Sequence, residues 1–127
     1  MNLTLGLSHA IGHQIGARHG VQHGWTSCVV LPSVMRWLAP ATSGRQAMIA
    51  TALGVDISQL TDAAAAAADA VEALVLDLGL PAHLTELGVT PTHYPGLADA
   101  VLQDLVVAGS PRPVAYADVL YILEQCA

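Results

Sequence analysis

The sequence predicts an all-α fold, a single helical bundle, on three observations. Alanine, the strongest helix former, is abundant and runs unbroken from Ala63 to Ala68. Apolar residues recur at helical spacing within most of the segments that Gly and Pro set off. No segment alternates apolar and polar residues with the period of two that marks a half-buried strand. With 127 residues, 54% of them hydrophobic, the chain can bury its own core of Leu, Val and Ile. Residues 1–127 are therefore read as one helical domain.

The first helix is expected over about 3–18, where Leu7, Ile11 and Ile15 repeat at i, i+4, i+8 and Gly20 supplies a stop. Gly12 and Gly16 inside it each cost roughly 1 kcal/mol of helix propensity relative to Ala. Glycines so placed permit the close approach of another backbone or a ligand. A second helix is expected over about 24–38, with Val29, Val30, Val34 and Met35 on its apolar face. Pro32 should kink it or mark its effective start, and Pro40 should end it. The capping-box pattern from Ser43 to Gln46 opens a third helix through Leu53, stopped by Gly54. The fourth, about 58–78, carries Val71, Leu74, Val75 and Leu78 as an i, i+3, i+4, i+7 stripe and ends at Gly79 and Pro81. A single turn at 84–87 is closed by Gly88. A fifth helix is expected over about 95–107, with Pro95 suited to its first turn. Residues 109–113 form a rigid connector, and a last helix over about 116–125 shows Val119, Ile122 and Leu123 on one side.

Charge narrows the function classes. The formal net charge is −6 with only four Lys or Arg, which disfavours a nucleic-acid partner because phosphate binding needs a basic footprint. Cys28 and Cys126 lie far apart and suggest no disulfide framework. The opening MNLTLGLSH lacks the charged and apolar regions of a signal peptide, and no window is long and apolar enough to cross a membrane. The expectation is a soluble, cytoplasmic protein with no membrane partner.

The chemistry concentrates in GLSHAIGHQIGARHGVQHGW, residues 6–25, which holds four of the six histidines. His9 and His13 are four apart on an expected helix and so share a face, a spacing at which two imidazoles can grip one ion. His19 and His23 have the same spacing, but Gly20 and Gly24 make that interval a turn, which could bring His23 back over the first helix as a third ligand. Imidazole suits Zn, Fe, Ni and Cu alike, so residue type does not select the metal. The opposing reading makes these surface or hydrogen-bonded core histidines, since HxxxH alone is a weak pattern. His83 and His93, beside Pro81 and Pro95, read as solvated loop residues. Trp25 and Trp37 read as core or interface anchors, Tyr116 and Tyr121 as packing residues with wet hydroxyls, and Cys28 as an inert buried thiol. No G-x-S-x-G elbow surrounds Ser27 or Ser33, and Gly6, Gly12 and Gly16 follow no strand, so neither a nucleophile elbow nor a dinucleotide fingerprint is present.

The stretch GLSHAIGHQIGARHGVQHGWTSCVVLPSVMRW closely resembles the iron-containing (group III) alcohol dehydrogenases, including the maleylacetate reductase branch. ATALGVD, LGLPAHLTELGV and SPRPVAYADVLYIL are similar, in order, to that family's closing helices. The resemblance covers essentially the whole chain but only the family's C-terminal helical domain, whose fold is dehydroquinate synthase-like. It implies metal-ligand positions at His9 and His23 and, at His13, a histidine close to the nicotinamide and substrate. It implies no ligand role for His19. Gln22 stands where the family usually has Pro, and Ser33 where it frequently has His. The resemblance also implies that the NAD(P)-binding α/β domain and two further ligands, an Asp and a His, belong to parts of the family not matched by this chain.

Two functions follow as expectations. The first is a small metal-dependent hydrolase of esters or phosphoesters, with a metal-bound hydroxide as nucleophile. His9, His13 and His23 would hold a divalent ion (Zn, Fe or Mn), and His13 and His19 would serve the small-molecule substrate or relay a proton. The second is a non-catalytic metal-binding or assembly fragment of an iron-containing alcohol dehydrogenase that needs a separate NAD(P)-binding domain. In either case an exposed apolar face is expected to drive homodimers or higher oligomers.

Overall fold

The computed structural model describes residues 6–127, and among them every regular element is helical. Five α-helices are present: α1 Leu7–His19, α2 His23–Ala52, α3 Ala63–Asp77, α4 Tyr94–Gln103 and α5 Tyr116–Gln125. Short 3-10 turns at Leu84–Leu87, Pro91–His93 and Leu105–Gly109 join the later ones. The part of the expected first helix before residue 6 lies outside the described residues.

The apolar face of α1 is buried as its spacing predicts. Leu7, Ala10, Ile11 and Ile15 are essentially inaccessible and meet Val29, Val30 and Val34 of α2. Leu84, Leu87 and Val89, then Leu97, Ala98 and Val101 of α4 and Val119, Ile122 and Leu123 of α5, complete one core. Trp37 closes its edge. Its indole nitrogen donates to Asp118 at 3.2 Å, and the Arg112 guanidinium lies 4.2 Å above its ring while donating to its carbonyl.

Four elements differ from the sequence reading. The two helices expected over 24–38 and 43–53 meet at a kink within the span of α2, where Thr42 leaves helical geometry at φ −137°. The break falls two residues past Pro40, and Pro32 neither interrupts the first half nor marks its start. Pro32 is buried in the helix interior, and after Pro40 the chain is held by Gln46, whose buried amide donates to the Met35 carbonyl at 2.7 Å and to Thr42 Oγ1 at 2.9 Å. Thr42 Oγ1 itself donates to the Leu38 carbonyl at 2.9 Å. Secondly, α3 begins at Ala63, because the Asp62 carboxylate accepts the Ala65 amide and caps it there. Its leucines face outward: Leu74, Leu76 and Leu78 are exposed, while Ala64, Ala67, Ala68 and Val75 pack inward against α2. Small side chains win that interface because they let the two backbones approach closely. Arg36 fastens the pair through Asp69 and Glu72.

Thirdly, the fifth helix stops at Gln103, not Val107. Asp104 turns extended and caps a separate 3-10 turn by accepting the Val106 amide at 3.1 Å. Fourthly, Trp25 is exposed and anchors no core, and Cys28 is only half-buried. α5 has the bounds expected. No helix among the described residues is long and apolar enough to cross a membrane.

Candidate functional site

The site is built where α1 ends and α2 begins. Gly20 adopts φ 65°, the left-handed conformation that closes a helix, and its amide bonds to the Gly16 carbonyl at 3.0 Å. The chain reverses within a few residues and restarts at His23, the first residue of α2. Thr26, fully buried, donates from Oγ1 to the His23 carbonyl at 2.7 Å and fixes that first turn. The return passes over Gly12. A Cβ there would stand 2.8 Å from Thr26 Oγ1 and 3.4 Å from His23 Cε1. The propensity lost at Gly12 is what lets His23 sit down on α1 between His9 and His13.

The three rings accordingly converge. The centroid of His23 lies 4.7 Å from that of His9 and 5.6 Å from that of His13, and His9 and His13 are 5.8 Å apart. His9 is half-buried, and His13 and His23 are exposed, so the cluster opens to one side. His13 is turned by a partner to which the sequence reading gave no role. Its Nδ1 lies 3.2 Å from Asp104 Oδ2, and Gln14 Nε2 donates to the same oxygen at 3.3 Å. Burial alone would raise the Asp104 carboxyl, but the Val106 amide, His13 and Gln14 outweigh it and hold the group below the usual carboxylate range. The one local signal for Asp104 is an acidic residue at the N-cap of a short turn, which says nothing of its contact with α1.

His19 is not part of this cluster. Its ring meets His93 edge-on at 4.7 Å, beside Arg18. His83 lies elsewhere again, its Nδ1 3.1 Å from the Ala127 carbonyl oxygen. Among the described residues no group of three or more His, Cys, Asp or Glu is spaced to hold a metal ion by itself. The donor chemistry nevertheless suits a borderline divalent metal, since imidazole nitrogens gather on one open face.

The chain thus presents three imidazoles on an open face without closing a centre around them. The chain belongs to the Fe-containing alcohol dehydrogenase family, whose C-terminal region it matches over residues 1–127. It is 38% identical over 121 residues to lactaldehyde reductase of Escherichia coli K12, covering 94% of this chain and 32% of that one. It is 35% identical over 126 residues to 1,3-propanediol dehydrogenase of Klebsiella pneumoniae, covering 98% and 33% respectively. Among solved structures, 1,3-propanediol oxidoreductase superposes with a TM-score of 0.93 at 35% identity, over 97% of this chain and 33% of the other. An alcohol dehydrogenase from Oenococcus oeni superposes with a TM-score of 0.95 at 27% identity, over 99% and 33%. The chain spans about a third of the length of the curated relatives it matches.

These relationships overturn the hydrolase expectation. The relatives are alcohol dehydrogenases and aldehyde reductases, and none of them is a hydrolase. Among the described residues no group of three or more His, Cys, Asp or Glu is spaced to hold a metal ion, so the geometry lends the zinc hydroxide no support. The alternative, a portion of an iron-containing alcohol dehydrogenase, fits the findings better.

Proposed function

We propose that this chain is the metal-facing helical part of an NAD(P)-dependent iron-type alcohol dehydrogenase, whose chemistry also requires a nucleotide-binding domain. The convergence of His23 onto His9 across Gly12 carries this reading. His9 and His23 occupy the ligand positions implied by the family resemblance and would hold a divalent ion together with donors from outside this chain. Two imidazoles alone bind such an ion weakly, because a catalytic site of this kind ordinarily takes three protein ligands. When bound, the ion acts as a Lewis acid that polarises an alcohol or carbonyl oxygen. His13 stands one turn from His9, and its ring is oriented by Asp104, which is in turn held by Gln14 and the Val106 amide. So fixed, it would line the side from which substrate and nicotinamide approach. Hydride exchange requires the cofactor held against the substrate, a positioning task that falls to the nucleotide-binding domain. Short aliphatic alcohols and aldehydes are the substrate class that the relatives suggest.

The outward leucines Leu74, Leu76 and Leu78 support association through the α3 face, whether with the remainder of the enzyme or with a second copy.

The test is complementation. The untagged chain is co-expressed with the part of lactaldehyde reductase that precedes the matched region, and NADH consumption with a short aldehyde is followed. Turnover is expected only for the pair, with His9→Ala and His23→Ala each abolishing both turnover and bound metal. Turnover by the chain alone, or metal content that survives both substitutions in the pair, would refute the proposal.

A further inference from the structure

The second histidine pair marks a different site. Arg18 and His19, at the C-terminal end of α1, face Thr92, His93, Gly96 and Leu97 across an open concavity of about 470 Å³. No carboxylate lines it. In a chain of net charge −6 that is unusual company for three basic side chains. Arg36 is matched by Asp69 and Glu72, and Arg112 is spent on Trp37, but among the described residues Arg18 lies within ion-pair distance of no carboxylate. Its guanidinium reaches the first turn of α4, since a Cβ on Gly96 would come within 3.8 Å of its Nη1. That turn carries no acidic residue, so the positive end of the α4 dipole is not neutralised there.

The hydrogen bonding of His93 decides what such a cluster can take. The Thr90 backbone amide donates to His93 Nδ1 at 3.0 Å. An amide can only donate, so Nδ1 uses its lone pair and the neutral ring carries its hydrogen on Nε2. His93 therefore has no free lone pair for a cation. Its remaining polar atom is an N–H donor, like every polar group on Arg18. The ring of His19, edge-on to His93, completes the set.

We propose that this concavity binds the phosphate group of a small phosphorylated molecule, with Arg18 as the charge anchor and the His93 Nε2 hydrogen and His19 as further donors. A guanidinium matches tetrahedral oxyanions in charge and in fork geometry. The site is separate from His9, His13 and His23 and does not depend on the dehydrogenase reading, so each can fail alone.

The experiment uses the untagged, 15N-labelled chain at neutral pH and constant ionic strength. Long-range histidine NMR spectra and the Arg18 side-chain signal are followed during titration with inorganic phosphate, glycerol phosphate, acetate and chloride. His93 is expected as the Nε2–H tautomer. Both phosphates should give saturable shifts at Arg18, His19 and His93, and acetate and chloride should not. Arg18→Gln should weaken phosphate binding about fivefold or more, while Arg45→Gln, at an exposed site elsewhere, should leave it unchanged. Amide spectra of both variants report that the fold is intact. An Nδ1–H tautomer at His93, shifts that rise linearly for every salt, acetate binding as tightly as phosphate, or equal effects of the two arginine substitutions would each overturn the proposal.

Discussion

Replacing Gly12 by alanine places a methyl group where α2 crosses α1. The new carbon would stand 2.8 Å from Thr26 Oγ1, 3.4 Å from His23 Cε1 and 3.5 Å from His23 Nδ1. Thr26 is fully buried, and its hydroxyl is engaged with the His23 carbonyl, so the oxygen cannot move aside without giving up that bond. Losing it costs about 0.5–1.5 kcal/mol. Forcing a methyl into a closed contact costs ~1–3 kcal/mol if the helices part instead. Against either stands the helix propensity recovered on going from Gly to Ala, about 1 kcal/mol. The balance runs from near zero, if only that bond is given up, to a loss of about 2 kcal/mol, if the helices part. Chemical denaturation measures it, and NMR contacts between the His9 and His23 rings report whether they have separated. Gly44→Ala is the control: nothing lies within 4 Å of the added carbon, and it sits inside α2. It should be neutral or stabilise by about 0.5–1 kcal/mol. If Gly12→Ala is as stable as the parent and keeps the His9–His23 contact, the close approach is not what seats His23.

Gln46→Ala should destabilise by about 1–3 kcal/mol in denaturant unfolding, because the Met35 carbonyl loses a buried donor at the α2 kink. Glu86 accepts the Ala82 and His83 amides, which hold its carboxyl below the ordinary range. A carboxyl lowered in the folded state adds stability above its unfolded pKa and loses it as pH falls through the folded one. The melting temperature of Glu86→Gln should therefore lie below that of the parent at neutral pH and converge with it in acid, as thermal melts across pH would register. Burial pushes the Cys126 thiol up and keeps it protonated. An alkylating reagent followed by mass spectrometry should accordingly label half-buried Cys28 first, and Cys126 only on unfolding.

How much of this was legible in the sequence depended on whether local signals agreed with packing. α5 was, because a proline-rich connector and the Val119, Ile122, Leu123 stripe point the same way. The convergence of the histidines was too: a helix, a left-handed glycine and a short turn constrain the chain to fold back. The break near Pro40 was legible as well, but not its form: the two halves of α2 stay joined across Thr42, where Gln46 ties the second half back to the Met35 carbonyl, a contact that no local pattern announces. The stripe on α3 was half right: Val71 and Val75 pack inward, but Leu74 and Leu78 are exposed, because the alanines take the rest of the contact with α2. The hydrolase expectation failed for a related reason. Spacing brought three imidazoles together, but three imidazoles do not specify a reaction, and the family to which the chain belongs is one of alcohol dehydrogenases. His19 and His93 met without any signal in the spacing of either.

The alanine seam between α2 and α3 has a consequence for how the protein can vary. A joint made of methyl groups has no slack: Ala67 and Ala68 are fully enclosed, and any larger side chain must pry two backbones apart. The outer side of α3 is under no such limit from within, so Leu74, Leu76 and Leu78 can be matched to whatever surface they meet while the seam beneath them stays a fixed template.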